Sequence, residues 1–275
     1  MRLLSCLLTA NDCYKTGQRI KPKGVMVHST GANNPMLRRY VQPTISTPER
    51  TSLLAALGTN PNRNDWNRTG TNACVHGFIG KLANGTVAVV QTLPWNWRGW
   101  HAGVGSSGRS ANNTHISFEI CEDGLSDPRY FVQAYRAAVE LTAMLCREYR
   151  LNPLADGVVI CHREGCRRGI ASNHADVEHW FPRHGKSMDT FRADVAREMN
   201  GKKEELEMTK DELLSIDKTG DKPSSWAKEA AEKAKRKGLL TGDGKGNYGW
   251  QVPLTTERLA VILDRAGVLD KLPDC

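Results

Sequence analysis

Two histidines and one aspartate stand where this chain could hold a metal ion. His28 ends the apolar run Val25-Met26-Val27-His28, and His162 ends another, Val158-Val159-Ile160-Cys161-His162. Asp176 follows fourteen residues later, in the turn-like stretch Ser172-Asn173-His174-Ala175-Asp176. Strand ends suit metal ligands because neighbouring strands fix their separation, and fourteen residues let a loop bring a carboxylate back. His/His/Asp ligation carries one negative charge, so a Zn2+ ion held there stays locally positive. Such an ion lowers the pKa of bound water and polarises a carbonyl, which points to hydrolysis. Spacing alone leaves a second reading open, since a histidine at a strand end is also a common satisfied polar residue. All eight histidines lie between His28 and His184, and the rest of the chain has none.

The elements that must position these residues read as an α/β fold, a mixed central sheet flanked by helices. Residues 22–28 predict a strand. Residues 31–72 are rich in Asn, Thr, Pro and Gly, with one helical segment over 48–57 that Thr47 could cap and Pro48 could open. Strands follow over 73–79 and 87–92, and Asn84-Gly85 between them signals a hairpin. Residues 94–108 hold three tryptophans and several glycines around His101, a composition suited to a shaped loop. Residues 115–122 alternate, with Ser117, Glu119 and Cys121 on one face and Phe118 and Ile120 on the other. Residues 128–150 form the clearest helix, with Phe131, Ala134, Ala138, Leu141 and Leu145 as its apolar stripe. A short buried strand over 158–161 and a helix over 188–199 complete this part.

Composition bounds the function. At 275 residues, 39% hydrophobic and 25% charged, the chain is long enough for one good core and a smaller module. The formal charge of +8 divides into +10 over residues 1–203 and −2 over 204–275. A positive excess on the catalytic part favours an anionic polymer such as an acidic cell wall. No concentrated Lys/Arg tract accompanies it, which argues against nucleic acid. The opening Met-Arg-Leu-Leu-Ser-Cys-Leu-Leu-Thr-Ala is marginal as an export signal, and no stretch is apolar enough to span a membrane. The eight cysteines show no CxxC pattern, and reduced thiols packed in a protein made in the cytoplasm are the expectation.

The segment Gly24-Val25-Met26-Val27-His28-Ser29-Thr30-Gly31-Ala32-Asn33-Asn34 resembles the opening strand of the zinc-dependent N-acetylmuramoyl-L-alanine amidases, the amidase-2 branch related to peptidoglycan-recognition proteins. Trp100-His101-Ala102-Gly103, followed by His115-Ile116-Ser117-Phe118-Glu119-Ile120, is similar to that family's Trp-His-Ala-Gly turn and Glu-bearing strand. The resemblance covers roughly residues 8–198. It implies His28, His162 and Asp176 as zinc ligands and cleavage of the amide between muramic acid and L-alanine of peptidoglycan. Where the family has Lys-x-Asp or Lys-x-Cys, this chain has His174-Ala175-Asp176, so His174 stands in the lysine's place. An imidazole titrates near neutrality where a lysine stays charged. Amide hydrolysis needs a proton carrier and an oxyanion partner; Glu119 suits the first role and His174 the second. Trp95, Trp97 and Trp100 either stack on sugar faces or seal their loop. His101 contacts substrate or shapes the groove, and His76, in phase with Phe78, is equally a buried hydrogen-bonding residue.

Three parts are expected: a zinc amidase domain over 1–200, a charged connector over 201–222 and a small helical module over 223–275. The module resembles one S-layer-homology-like unit. Trp226 leads a helix over 226–237 with Ala230 and Ala234 in its stripe, Gly238 ends it, a Gly-rich loop spans 242–250, and Thr255-Thr256-Glu257-Arg258 precedes a second helix. Such a unit implies binding to a wall polymer or self-association. The whole reads as a phage endolysin or bacterial autolysin, made in the bacterial host cytoplasm and acting on the wall after release. The alternative is a noncatalytic peptidoglycan-recognition protein that needs neither zinc nor Glu119.

Overall fold

A computed structural model describes residues 1–44, 48–200, 228–240, 248 and 256–268. The chain divides into two compact units, Met1–Lys203 and Glu204–Cys275. The first unit runs β1 (Leu3–Ser5), α1 (Asp12–Thr16), β2 (Gly24–Asn33), α2 (Pro48–Leu57), β3 (Gly77–Lys81), β4 (Val87–Gln91), β5 (His115–Glu122), α3 (Pro128–Glu148), β6 (Val159–Cys161), α4 (His162–Arg167) and α5 (Met188–Met199). Its strands form one sheet in the order β1-β4-β3-β5-β2-β6. Only the β3–β4 pair is antiparallel, closed at the Asn84-Gly85 hairpin; the other pairs are parallel. The sheet is therefore mixed and flanked by helices, as its sequence predicts.

Alternation along the strands sends side chains to two different packing layers. Val25, Val27, Phe118, Ile120, Val159 and Cys161 join α3 and α5 in the main core. Phe131, Ala134, Ala138, Leu141 and Leu145 of α3 are all buried there. Asp127 caps that helix by accepting from the Arg129 and Tyr130 amides, and Pro128 occupies its first turn. On the opposite face, Phe78, Val90 and Cys121 pack with residues of the N-terminal segment, and Met26 and Ile160 pack with Ala102, Ala111 and Ala171.

Several element boundaries differ from expectation. The strand expected over 22–28, β2, runs on to Asn33 through an irregularity between Ser29 and Asn33, because Glu122 receives it: Thr30 Oγ1 accepts from the Glu122 amide and Glu122 Oε1 accepts from the Gly31 amide. The strand expected over 73–79 begins only at Gly77; Cys74 instead exchanges backbone hydrogen bonds with Trp100. Residues 3–5 form β1, paired with β4, and α1 is a further short helix that no periodicity announced. The seven cysteines among the described residues are free.

In the second unit, α6 (Lys228–Arg236) and α7 (Thr256–Arg265) are helical. Gly238 follows α6 in the left-handed region (φ 68°), as a terminating glycine should. Of the expected stripe, Ala234 is half-buried but Ala230 is exposed, and the buried residue of α6 is its neighbour Ala231. Thr47, the connector over 201–222, Trp226, the Gly-rich loop apart from Tyr248, and Thr255 lie outside the described residues. No helix among the described residues is long and apolar enough to cross a membrane.

The contact between β2 and β6 gives a direct test of this frame. The Val25 amide donates to the Val158 carbonyl at 2.7 Å, and a Cβ on Gly24 would collide with that same oxygen and with the His115 ring. Gly24→Ala is expected to destabilise the protein by about 1–3 kcal/mol through overpacking. Thermal unfolding of the two proteins checks this, and an unchanged midpoint would show that the strand ends yield freely.

Candidate metal centre and its surroundings

The parallel register assembles the centre. His28 on β2 pairs with Glu119 on β5, and Val27 pairs with Cys161 on β6. His162 follows Cys161 as the first residue of α4, not as a strand residue, because Glu164 turns the chain there by accepting from the Cys161 amide. Glu119, His28 and His162 thus lie in a row across three adjacent strands, in the carboxyl-terminal halves of β5 and β2 and just past the end of β6, the side on which sites in open α/β sheets usually lie. Asp176 reaches the same place from its loop. His28 Nδ1 lies 2.8 Å from Asp176 Oδ2, His162 Nδ1 lies 3.1 Å from the same oxygen, and the two Nδ1 atoms are 3.2 Å apart. His28, His162 and Asp176 are the group among the described residues that could hold a metal ion.

The donor set fits a metal. Tetrahedral ligands about 2.0–2.1 Å from zinc stand roughly 3.3 Å apart, close to the separations seen. Burial drives His28 toward its neutral, ligating form, although Asp176 opposes that shift. Burial alone would raise the Asp176 carboxyl, but hydrogen bonds from His162 and His28 outweigh it and hold the group well below the usual carboxylate range. The result is two imidazoles facing one ionised carboxylate.

Asp176 is kept in place at a backbone cost. Its neighbour Val177 has φ 48°, a region a β-branched residue rarely enters. Full burial of the Val177 side chain and a 3.3 Å hydrogen bond from its amide to Ser29 Oγ hold it there. Neither residue carries a signal in the sequence, since a strained loop has no periodicity.

Glu119 is half-buried, and its Oε2 is enclosed without a hydrogen-bond partner. Desolvation raises its carboxyl well above the ordinary range, and the charges of Asp176 and Glu122 add to the rise. His174 is exposed, with its ring 4.7 Å from that of His162. His101 is not among the converging ligand atoms; its Nδ1 lies 3.0 Å from His28 Nε2, on the far side of that ring, and its own Nε2 is enclosed without a partner. The His101 and Ala102 amides both donate to Asn112 Oδ1 at 2.8 Å, so buried Asn112 anchors the loop. Ser110 Oγ accepts from the Asn112 amide at 3.2 Å.

The tryptophans are half-buried against the body of the domain. Trp95 packs on the main core, and Trp97 and Trp100 pack on the second cluster. Trp97 also meets Tyr14, with ring centroids 4.9 Å apart. His76 is fully buried. Its Nδ1 accepts from the Ser117 amide at 3.0 Å, and its Nε2 donates to the Trp97 carbonyl at 2.7 Å. His115 lies at the other end of β5 against the Gly157 carbonyl, His179 pairs with Glu122, and His184 stacks on Phe131.

Residues 18–179 match the family model Amidase_2, N-acetylmuramoyl-L-alanine amidase, over more than half of the chain. The chain belongs to this family, and its activity is that of an N-acetylmuramoyl-L-alanine amidase acting on peptidoglycan. No curated protein matches the sequence. Among solved structures, the Staphylococcus aureus hydrolase AmiA in complex with its ligand is 19% identical, covering 72% of this chain and 83% of that one, with a TM-score of 0.48. A mutant endolysin from Bacillus subtilis is 21% identical, covering 71% and 99%, with a TM-score of 0.46. The endolysin and N-acetylmuramoyl-L-alanine amidase LysCS from Clostridium intestinale is 14% identical, covering 70% and 95%, with a TM-score of 0.39.

Burial pushes the His76 imidazole down to about 4 from an ordinary 6.5, against the opposing effect of its two backbone partners. The unfolded chain therefore takes up a proton near pH 6.5 that the folded state resists until about 4. Stability is full above pH 6.5 and falls as the pH drops through that window, by about 3 kcal/mol from this group. Metal-free protein carrying His76→Gln is expected to lose correspondingly less stability between pH 7 and 4 in urea titrations. Equal losses in both proteins would remove His76 as a source of acid sensitivity.

Proposed function

We propose that this amidase is zinc-dependent, with His28, His162 and Asp176 as the protein's ligands, and that Glu119 is its proton carrier. The convergence of two imidazole nitrogens on one ionised carboxylate oxygen, beside a carboxyl that resists ionisation, carries the reading. Zinc, when bound, supplies positive charge that polarises the scissile carbonyl and makes water a better nucleophile at neutral pH. Glu119 takes a proton from the attacking water, holds it on a carboxylate oxygen and delivers it to the departing amine of L-alanine. Its raised affinity for protons suits both halves of that transfer. His174 donates a hydrogen bond to the carbonyl oxygen as negative charge develops there. His101, Trp95, Trp97 and Trp100 shape the groove beside these groups.

In this reading residues 1–200 form the catalytic domain, 201–222 a connector and 223–275 a module that attaches to a wall polymer or self-associates. The exposed Leu259 and Val261 on α7 offer an apolar surface for either. The biological role is that of an endolysin or autolysin, made in the bacterial cytoplasm and acting at the wall.

Digestion of purified peptidoglycan is expected to release new L-alanine amino termini with no new reducing sugars. Alanine at His28, His162 or Asp176 is expected to abolish both zinc retention and release. Glu119→Gln is expected to keep its zinc and lose about 10²–10⁴-fold in kcat. Failure of the folded, zinc-loaded protein to release any amino termini would favour noncatalytic recognition of peptidoglycan.

A further inference from the structure

A second convergence lies one turn of chain beyond the metal centre. Glu122 stands three residues after Glu119 on β5, Gly31 three after His28 on β2, and His179 three after Asp176 on its loop. These three residues also meet. Glu122 Oε1 accepts from the Gly31 amide at 3.1 Å and lies 2.9 Å from His179 Nε2. The Glu122 amide donates to Thr30 Oγ1 at 3.1 Å. One carboxylate oxygen therefore joins the segments that carry His28, Glu119 and Asp176.

Glu122 is only 4% exposed. An enclosed carboxylate that loses a partner keeps an uncompensated charge, so the loss costs more than the contact contributes. Both segments it holds are irregular. β2 leaves its regular register between Ser29 and Asn33, and Gly31 has φ 59°. The loop passes through Val177 at φ 48° directly after Asp176. A ladder of backbone hydrogen bonds does not fix such segments, so side chains must. Trp180 and Phe181 anchor the loop in the core further on. Between that anchor and Asp176, Ser29 holds the Val177 amide and Glu122 holds His179. Glu178 pairs outward with Arg163 and Arg167, in more exposed contacts that contribute little.

We propose that Glu122 is a positioning residue which, paired with His179, clasps the Asp176 loop and the end of β2 to the Glu119 strand and so fixes the approach of Asp176 to His28 and His162. The functional consequence rests on the zinc reading above, whereas the clasp is a property of the chain alone. It needs no particular protonation of the metal-binding residues.

The test uses the full chain and the variants His179→Ala, His179→Gln and Glu122→Ala. Native-state hydrogen exchange of zinc-free protein reads the clasp at the Val177 amide, with the amides of α3 as internal reference. In H179A the Val177 amide is expected to exchange about 10–100-fold faster, the factor of one lost hydrogen bond to a charged group, while α3 exchanges as in the native chain. H179Q, whose side-chain amide still donates to Glu122, is expected to restore slow exchange. Chelator competition is expected to show zinc bound about 10-fold more weakly by H179A, with affinity restored in H179Q. E122A is expected to release the Gly31 amide as well; if it does not fold, the two His179 variants decide alone. Native exchange at Val177 in H179A overturns the proposal, as does native zinc affinity. Exchange that quickens equally throughout α3 also overturns it, since the pair is then a general fold contact. If the native chain binds no zinc, the zinc reading fails, and the exchange comparison alone decides the role of Glu122.

Discussion

Everything at the centre follows from how β2 is clasped between β5 and β6. The pairing of His28 with Glu119 and of Val27 with Cys161 is a backbone register, yet it decides which side chains meet. Side chains alternate along a strand, so a slip of one residue would turn His28 into the layer packed by α3 and send Val25 and Val27 to the other face. Each fully buried valine contributes roughly 1.5–3 kcal/mol. The apolar alternation that stabilises the sheet therefore also holds His28 in line with Glu119 and His162. Fold and site share one constraint, and neither can shift without the other.

Enclosure gives that row its chemical character. Burial holds both His28 and His101 toward the neutral form; the other imidazoles reinforce this at His101, whereas Asp176 opposes it at His28. Neutral imidazole is the form that offers a lone pair to an ion, so a partly dry pocket prepares ligands as well as excluding solvent. The same enclosure has a cost in acid, where the unfolded chain accepts protons that the folded one refuses.

Much of this frame was legible in the sequence because it is periodic. The alternation over His115–Glu122, the stripe of α3 and the Asn84-Gly85 turn each repeat a pattern that only one element satisfies. His28 and His162 were legible for the same reason, as the polar residues that end apolar runs. Asp176 was placed by resemblance and by a loop long enough to return. What the sequence hid is the polar stitching between irregular segments: Asn112 on the His101 and Ala102 amides, Ser29 on Val177, Ser172 between His162 and Ala102. Serine and asparagine in loops look alike whether they face water or anchor a site, and only tertiary contact separates them. The exposure of Ala230 on α6 has a related cause: an alanine-rich, charged helix presents two adjacent small residues, and composition does not say which one turns inward.

The two carboxylates of the centre show how environment assigns roles to like groups. Asp176 sits between two imidazole nitrogens, whose hydrogen bonds more than offset its desolvation and keep it ionised. Glu119, one strand away from His28, has an enclosed oxygen with no partner, and the charge on Asp176 makes its own ionisation harder still. Ionisation of one thus opposes ionisation of the other, so the pair divides into a permanent anion and a proton holder. A cation beside Asp176 would weaken that opposition and ease Glu119 toward its basic form. In the proposed zinc-dependent reaction, metal binding and proton transfer would then be linked, because the positive charge of the ion would lower the cost of ionising Glu119.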